Sequence, residues 1–165
     1  MKTENNRKNQ LPVYGVGPLY GFGISAVSIL FIVLSKKVFR TGAASGLKIP
    51  FVIFGIAFIL GGIAIWLSAV ILAKIDDGIK TNTLVTHGIY AYCRNPIYTA
   101  VTFVNIGALL IANNLWLLLL PFCYWAFMTV LMKHTEEKWL YDMFGEEYAA
   151  YCKKVNRCIP WRKKK

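Results

Sequence analysis

Charged residues are scarce in this chain, and acidic ones are the scarcest. Only 16% of the 165 residues are charged, with 8 acidic against 19 basic side chains. By contrast, 56% are hydrophobic and the mean hydropathy is +0.47. A soluble domain of this size cannot bury so much apolar surface, so the composition excludes an ordinary soluble protein. We therefore expect a membrane protein.

Patterns for metals, disulfides and nucleotide phosphates are also missing. The four cysteines have no C-x-x-C spacing and only two histidines could join them, so we predict neither a metal site nor a disulfide framework. The glycine pairs at 15–17 and 21–23 lead into an apolar helix and follow no strand, which argues against a phosphate-binding loop. We assign the small residues at 21–25 and 57–61 to close packing of helices in the membrane.

Four uncharged apolar runs are about long enough to cross a bilayer, since a helix of about 17–25 residues spans the hydrocarbon core. They cover residues 19–35, 49–73, 96–113 and 115–132. The sequence therefore predicts an all-α integral membrane protein with about four transmembrane helices, the last of them kinked at Pro121. From Glu136 onward, apolar residues recur at steps of three and four, which predicts a C-terminal amphipathic helical segment, broken near Gly145, on the cytoplasmic face. This segment could close over a ligand or simply lie on lipid.

Basic residues indicate how the chain lies in the membrane. Nine Lys and Arg follow Met132, whereas the turn at Asn113 and Asn114 has none, so we expect both termini in the cytoplasm. The net charge of +11 sits at helix ends and in the tail, which favours anionic lipid headgroups over nucleic acid. A short chain without a retention signal favours a prokaryotic plasma membrane. We predict one domain over residues 1–165 with four parts. These are a polar segment 1–18, a first helical hairpin 19–73, a core 74–161 and a basic tail 162–165.

A polar, turn-rich segment comes directly before the third apolar run. Residues 84–98 read LVTHGIYAYCRNPIY, with Arg94 at the entry to the helix. Pro96 suits a first helical position, and Asn95 can cap the helix N-terminus, where backbone N–H groups attract a carboxylate or phosphate. Alternatively, Asn95 is only a cap and Arg94 only an anchor among lipid headgroups.

Two adjacent acids follow the last apolar run. Glu136 and Glu137 stand at the cytoplasmic end of a membrane helix, where burying a charge is costly. They could accept hydrogen bonds from ribose hydroxyls or hold an ammonium group. The alternative is a solvated helix end with neighbouring lysines offsetting the charge.

Together, the 84–98 segment, the two acids and the stretch FGEEY at 144–148 resemble the isoprenylcysteine carboxyl methyltransferase and phospholipid N-methyltransferase superfamily. The resemblance covers residues 83–161 in the family's order and spacing. It implies a compact helical core, without a Rossmann sheet, that binds S-adenosylmethionine on the cytosolic side. The implied cofactor-binding residues are Leu84, Val85, Gly88, Tyr90, Asn95, Pro96, Ile97, Tyr98, Glu136 and Glu137. The implied catalytic residues are Arg94, Asn95 and Tyr98.

Two departures from the family concern the acceptor. Family members commonly have histidine where this chain has Asn95, and isoprenylcysteine enzymes carry an arginine where this chain has Met132. Lys133 is adjacent but points about 100° around the helix. The resemblance implies methyl transfer to a lipophilic or lipid-anchored acceptor, which could be a prenylated cysteine carboxylate, a phospholipid amine, or a small apolar thiol or acid. The rival interpretation is a non-catalytic membrane scaffold or transporter subunit, and the oligomeric state stays open.

Overall fold

The computed structural model describes residues 15–38 and 40–160, and these form six α-helices joined by short 3-10 and π turns. The helices are α1 (Gly17–Lys37), α2 (Lys48–Leu67), α3 (Ile75–Thr81), α4 (Pro96–Ile111), α5 (Leu120–His134) and α6 (Glu136–Lys154). Within these residues there is no strand, so the predicted all-α fold is confirmed. Residues 1–14 of the polar segment and the basic tail 162–165 lie outside the described residues.

Among the described residues, three helical stretches are long and apolar enough to cross a membrane. They are Gly17–Lys37, Ser45–Leu72 and Leu115–His134. The fourth apolar helix, α4, has 16 residues and is therefore about 24 Å long, somewhat shorter than a hydrocarbon core of about 30 Å. It packs against both α1 and α2, most extensively against α2. The structure is thus that of a membrane protein with α4 at its centre and many exposed apolar side chains on the helices around it.

The closest approach between helices depends on glycines other than those that the sequence singled out. A Cβ atom on Gly55 would lie 2.8 Å from the backbone oxygen of Gly107, and one on Gly62 would lie 2.7 Å from that of Ala100. A Cβ atom on Gly21 or Gly61 would meet its nearest neighbour at 3.9 Å, an ordinary contact. The tight α2–α4 packing therefore uses glycines seven residues apart, because these lie on the side of α2 that faces α4.

Hydrogen bonds between turns define two faces of the helical bundle. The N–H of Ala44 donates to the oxygen of Asn113 at 3.4 Å, which joins the turn after α1 to the turn after α4. At the other end, the N–H of Val16 donates to Glu136 Oε1 at 3.0 Å, and the Tyr151 hydroxyl donates to the oxygen of Tyr90 at 2.6 Å. The start of α1, the 74–95 loop and α6 therefore share one face, called the cavity face below. Which face is cytoplasmic stays a prediction.

Prolines and glycines set the ends and breaks of the last two helices. The sequence predicted that Pro121 kinks the last span, but this is wrong. A 3-10 turn at Leu115–Leu119 precedes α5, and Pro121 stands in the first turn of α5, where its missing N–H breaks no helical bond. The predicted break near Gly145 is confirmed, since that residue has φ 51° and ψ −125° inside α6. Only glycine adopts this conformation without strain.

Candidate functional site

A cavity opens at the cavity face between α3, the start of α4 and the inner side of α6. It encloses about 1010 Å³ of empty space, counting the part that is open to solvent. Most residues predicted to bind a cofactor or to act in catalysis meet here. These are Leu84, Val85, Tyr90, Arg94, Asn95, Pro96, Ile97, Tyr98 and Glu136. Their assignment to a cofactor stays a prediction, but residues from both motifs line one space.

Gly88 and Glu137 are not among the lining residues. Gly88 has φ +59°, and a Cβ atom there would lie 3.3 Å from the Cβ of Ala73, so glycine shapes the turn and lets it approach the π turn that follows α2. Glu137 forms ion pairs with Arg94, which lines the cavity, and with Arg157, which does not.

Glu136 is the carboxylate of the cavity. It stands in the first turn of α6, where the helix dipole favours negative charge. Its Oε1 accepts a hydrogen bond from the Val16 N–H at 3.0 Å and another from the Tyr98 hydroxyl. Burial raises the pKa of Glu136, although these two hydrogen bonds act in the opposite direction. Both bonds end on Oε1, and no hydrogen bond to Oε2 is found among the residues that the structure describes.

Arg94 is the cation of the cavity. Only 8% of its side chain is exposed, so the interpretation as a lipid-headgroup anchor is wrong. Its Nη2 lies 3.2 Å from Glu137 Oε1, and its Nη1 donates to the Tyr148 hydroxyl at 3.5 Å and to the Cys152 sulfur. Its Nε is buried and has no hydrogen-bond partner among the described residues. A buried donor without a partner is costly, and the rest of the guanidinium is well bonded, so the Arg94 side chain is held firmly beside the cavity.

Asn95 does not cap α4 as the sequence predicted. Its side-chain amide donates instead to the backbone oxygen of Arg157 at 3.1 Å, and its own N–H donates to that same oxygen at 3.1 Å. The neighbouring Arg94 N–H donates to the oxygen of Asn156 at 2.9 Å. The chain after α6 thus lies alongside the entry to α4. This contact cannot be read from a local pattern, because an asparagine before a helix most often caps it.

The other lining residues come from the start of α1, from α3 and from α6. They are Gly15, Gly17, Ile75, Ile79, Thr83, Trp139, Leu140, Phe144, Tyr148 and Tyr151. The periodicity of α6 left open whether this helix closes over a ligand or lies on lipid, and its apolar side in fact forms a cavity wall. Residues Gly15 and Gly17 were missed, because a glycine pair before a membrane helix carries no distinctive signal.

Met132 is fully buried and does not line the cavity. It belongs to a core cluster that includes Tyr20, Tyr98 and Tyr124. The position that carries an arginine in isoprenylcysteine enzymes is therefore occupied here by a packing residue, while Lys133 beside it is exposed.

Part of this chain is similar in sequence to known proteins. The sequence profile of the phospholipid methyltransferase family matches residues 50–147, which is more than half of the chain. The chain belongs to the phospholipid methyltransferase family. The predicted superfamily is therefore confirmed. The site residues from Leu84 to Glu136 lie inside the region that matches the family. Gly15, Tyr148 and Arg157 lie outside that region.

Curated relatives of this phospholipid methyltransferase family member are named protein-S-isoprenylcysteine O-methyltransferase. The protein from Schizosaccharomyces pombe is 39% identical over 82 residues, which cover 49% of this chain and 34% of that protein. The one from Mus musculus is 36% identical over 84 residues, covering 50% and 29%, and the one from Saccharomyces cerevisiae is 36% identical over 81 residues, covering 48% and 34%. The chain thus spans about a third of the length of these relatives. No solved structure matches the chain.

Proposed function

We propose that this protein transfers a methyl group from S-adenosylmethionine to a lipophilic acceptor at the cavity face. One observation carries the proposal: a largely apolar cavity is lined by a guanidinium, that of Arg94, together with a carboxylate, that of Glu136. Family membership supports this chemistry, because methyltransferases of this kind use S-adenosylmethionine. A non-catalytic scaffold would have no need of two charged side chains in such a space.

The lining residues fit the charged and polar groups of S-adenosylmethionine. The guanidinium of Arg94, which lines the cavity, suits the methionine carboxylate by its charge. The second carboxylate oxygen of Glu136, Oε2, suits the ribose hydroxyls. Aromatic rings such as those of Tyr90 and Phe144 suit the adenine and the positive charge of the sulfonium.

The chain's own contribution is positioning and the exclusion of water. When bound, S-adenosylmethionine supplies an electrophilic methyl group, so a carboxylate acceptor needs alignment and a dry cavity more than it needs an acid or base. We assign Arg94 to the ligand carboxylate. Tyr98 and Asn95 are already bonded to Glu136 and to the Arg157 backbone, so we propose that they hold the site in place.

The names of the relatives support one acceptor class. They describe methylation of an isoprenylcysteine oxygen, and we propose a lipophilic carboxylate as the acceptor here. The name of the matching family favours a second candidate, a phospholipid amine, which must first lose a proton. Burial of Met132 removes the arginine position from the cavity, so a simple prenylated cysteine acid is expected to be a poor acceptor. The relatives are eukaryotic, and a prokaryotic plasma membrane stays a prediction.

The test is calorimetric titration of the purified protein in nanodiscs with S-adenosylhomocysteine, the demethylated product. Arg94→Met should weaken binding by about tenfold or more, since a charge-assisted hydrogen bond contributes about 1.5–3 kcal/mol. Lys133→Met, which removes a nearby exposed cation, is the matched control and should bind like the wild type. Absence of binding at millimolar ligand would refute the proposal and favour the scaffold.

The acceptor is then identified by transfer of radiolabelled methyl groups. Vesicles with phosphatidylethanolamine, an S-farnesylated cysteine acid and a long-chain fatty acid represent the amine, the prenylated acid and a simple lipophilic acid. Label in an ester that is released as methanol by mild base indicates a carboxylate acceptor. Label in a base-stable headgroup indicates the amine.

A further inference from the structure

We infer that Arg157, which lies outside the cavity, prepares Arg94 for an anionic ligand by acting through Glu137. It fixes the position of Arg94, and it keeps the net charge beside the cavity positive. The inference rests on the proposed function, because it takes that anion to be the carboxylate of S-adenosylmethionine. It concerns a residue beyond the family match at 50–147 and a carboxylate, Glu137, that does not line the cavity.

Glu137 is shared between two arginines. Arg157 binds it with two nitrogens, Nε to Oε1 at 2.6 Å and Nη2 to Oε2 at 2.9 Å. Arg94 Nη2 lies 3.2 Å from the same Oε1. This fork of two parallel bonds fixes the carboxylate geometrically as well as electrostatically. The acid is held between an inner arginine at the cavity and an outer arginine behind it.

Backbone contacts hold the outer arginine in place. The peptide that carries Arg94 also binds the segment that carries Arg157, through N–H groups of Arg94 and Asn95 and through the Asn95 side chain. Arg94 and Arg157 are therefore placed by one contact between the entry to α4 and the chain after α6, and Glu137 comes to them from the first turn of α6. The same contact explains why an asparagine stands before Pro96: its side chain binds the Arg157 backbone and does not cap α4.

Charge counting shows what the outer arginine adds. Two guanidinium groups and one carboxylate leave a net charge of +1 beside the cavity. Without Arg157, Glu137 would be paired with Arg94 alone, and the net charge of this pair would be zero. Only 15% of the Glu137 side chain is exposed to water, so solvent screens its charge poorly. In a poorly solvated site such a neighbour strongly weakens the attraction of Arg94 for a ligand anion.

Geometry leads to the same role. The terminal nitrogens of Arg94 are directed to Glu137, Tyr148 and Cys152, and these contacts fix how the guanidinium lies beside the cavity. If the Arg157 fork is lost, Glu137 can turn, and the Arg94 guanidinium is no longer held in this orientation. Arg157 is thus a positioning residue, and Arg94 is the residue that touches the ligand.

The experiment compares two ligands that differ only in the carboxylate. These are S-adenosylhomocysteine and its decarboxylated analogue, which keeps the nucleoside, the thioether and the ammonium group. In Arg157→Gln the affinity for S-adenosylhomocysteine should fall about tenfold, while that for the analogue stays within about twofold, because the loss concerns the charge-assisted contact alone. Arg157→Lys keeps the charge without the fork and should lie between these values. Lys153→Gln, an exposed cation on the last turn of α6, is the matched control and should change neither affinity.

The outcomes separate this inference from the proposed function. If the wild type binds neither ligand, the proposed function fails. If the wild type binds S-adenosylhomocysteine but Arg157→Gln weakens both ligands equally, Arg157 only supports the fold and the inference is overturned. Unchanged affinities in Arg157→Gln overturn it as well. Should that variant fail to fold, the ratio of the two affinities in Arg157→Lys decides, and an unaltered ratio contradicts the inference.

Discussion

The start of α1 offers the sharpest perturbation of the cavity, the substitution Gly15→Ala. Gly15 has φ +50°, and a Cβ atom added there would lie 2.2 Å from Glu136 Oε1 and 3.2 Å from its carboxyl carbon. The next residue, Val16, donates the hydrogen bond that holds this carboxylate. A single methyl group therefore displaces Glu136 without removing its charge.

Two costs of different kinds follow from this substitution. The left-handed backbone conformation costs an L-residue about 1–2 kcal/mol, which lowers the free energy of unfolding. Loss of the bond between Val16 and the carboxylate costs about 1.5–3 kcal/mol, because charge-assisted hydrogen bonds are stronger than neutral ones. If Glu136 binds the ligand, part of the second cost appears in the dissociation constant, and we expect S-adenosylhomocysteine to bind about tenfold more weakly.

Two further variants separate strain from contact. Gly15→Asn tolerates the left-handed conformation but carries the same Cβ atom, so it should bind as weakly as Gly15→Ala while unfolding at a higher temperature. A Cβ atom added by Gly23→Ala, in α1, meets nothing within 4 Å, so this variant should leave binding unchanged. Calorimetry and thermal unfolding measure the two quantities. If Gly15→Ala loses stability but binds as tightly as Gly23→Ala, Glu136 does not belong to the ligand site.

Three other predictions follow from the same contacts. Burial raises the pKa of Glu136, so ligand affinity should fall as the pH is lowered through that raised value, and Glu136→Gln should lack this step in a titration series. The free energy of unfolding should change in the opposite direction with pH. The fold favours the neutral form of Glu136, so the contribution of this residue to stability declines as the pH rises through its folded pKa. Met132→Arg places an unpaired charge in the core and should lower the free energy of unfolding by about 3–5 kcal/mol, as measured by thermal unfolding. Lys133→Arg, at the exposed neighbouring position, should leave stability unchanged. A stable Met132→Arg variant would show that this side chain reaches the cavity or water. Lys80→Cys and Arg40→Cys, in a background without native cysteines, should react with an impermeant maleimide from opposite sides of the membrane, and labelling from one side would contradict the two-face arrangement.

The membrane fold was predictable because its determinants are local. Length and apolarity of a run are enough to predict a helix that spans a bilayer, and a proline in the sequence Asn95-Pro96 is enough to predict where α4 begins. The break at Gly145 was predictable for the same reason. Pro121 was misjudged, because a proline kinks a helix or begins one depending on whether the preceding turn is already helical.

The cavity was predictable only in part. The segment 84–98 and Glu136 carry a family pattern, and the structure brings them together at one face. What each side chain touches depended on partners far away in the chain. Val16 reaches Glu136 across 120 residues, and Asn95 reaches Arg157 across 62. No local periodicity encodes such pairs.

The sequence by itself thus determined that this chain is an all-α membrane protein. It also determined which two segments, 84–98 and 136–137, carry polar groups that membrane anchoring alone does not require. Only the tertiary structure decided that Glu136 faces the cavity while the adjacent Glu137 turns to Arg94 and Arg157. The physical reason is that neighbouring residues on a helix point about 100° apart, and which of the two directions is inward depends on how α6 folds back on the start of α4.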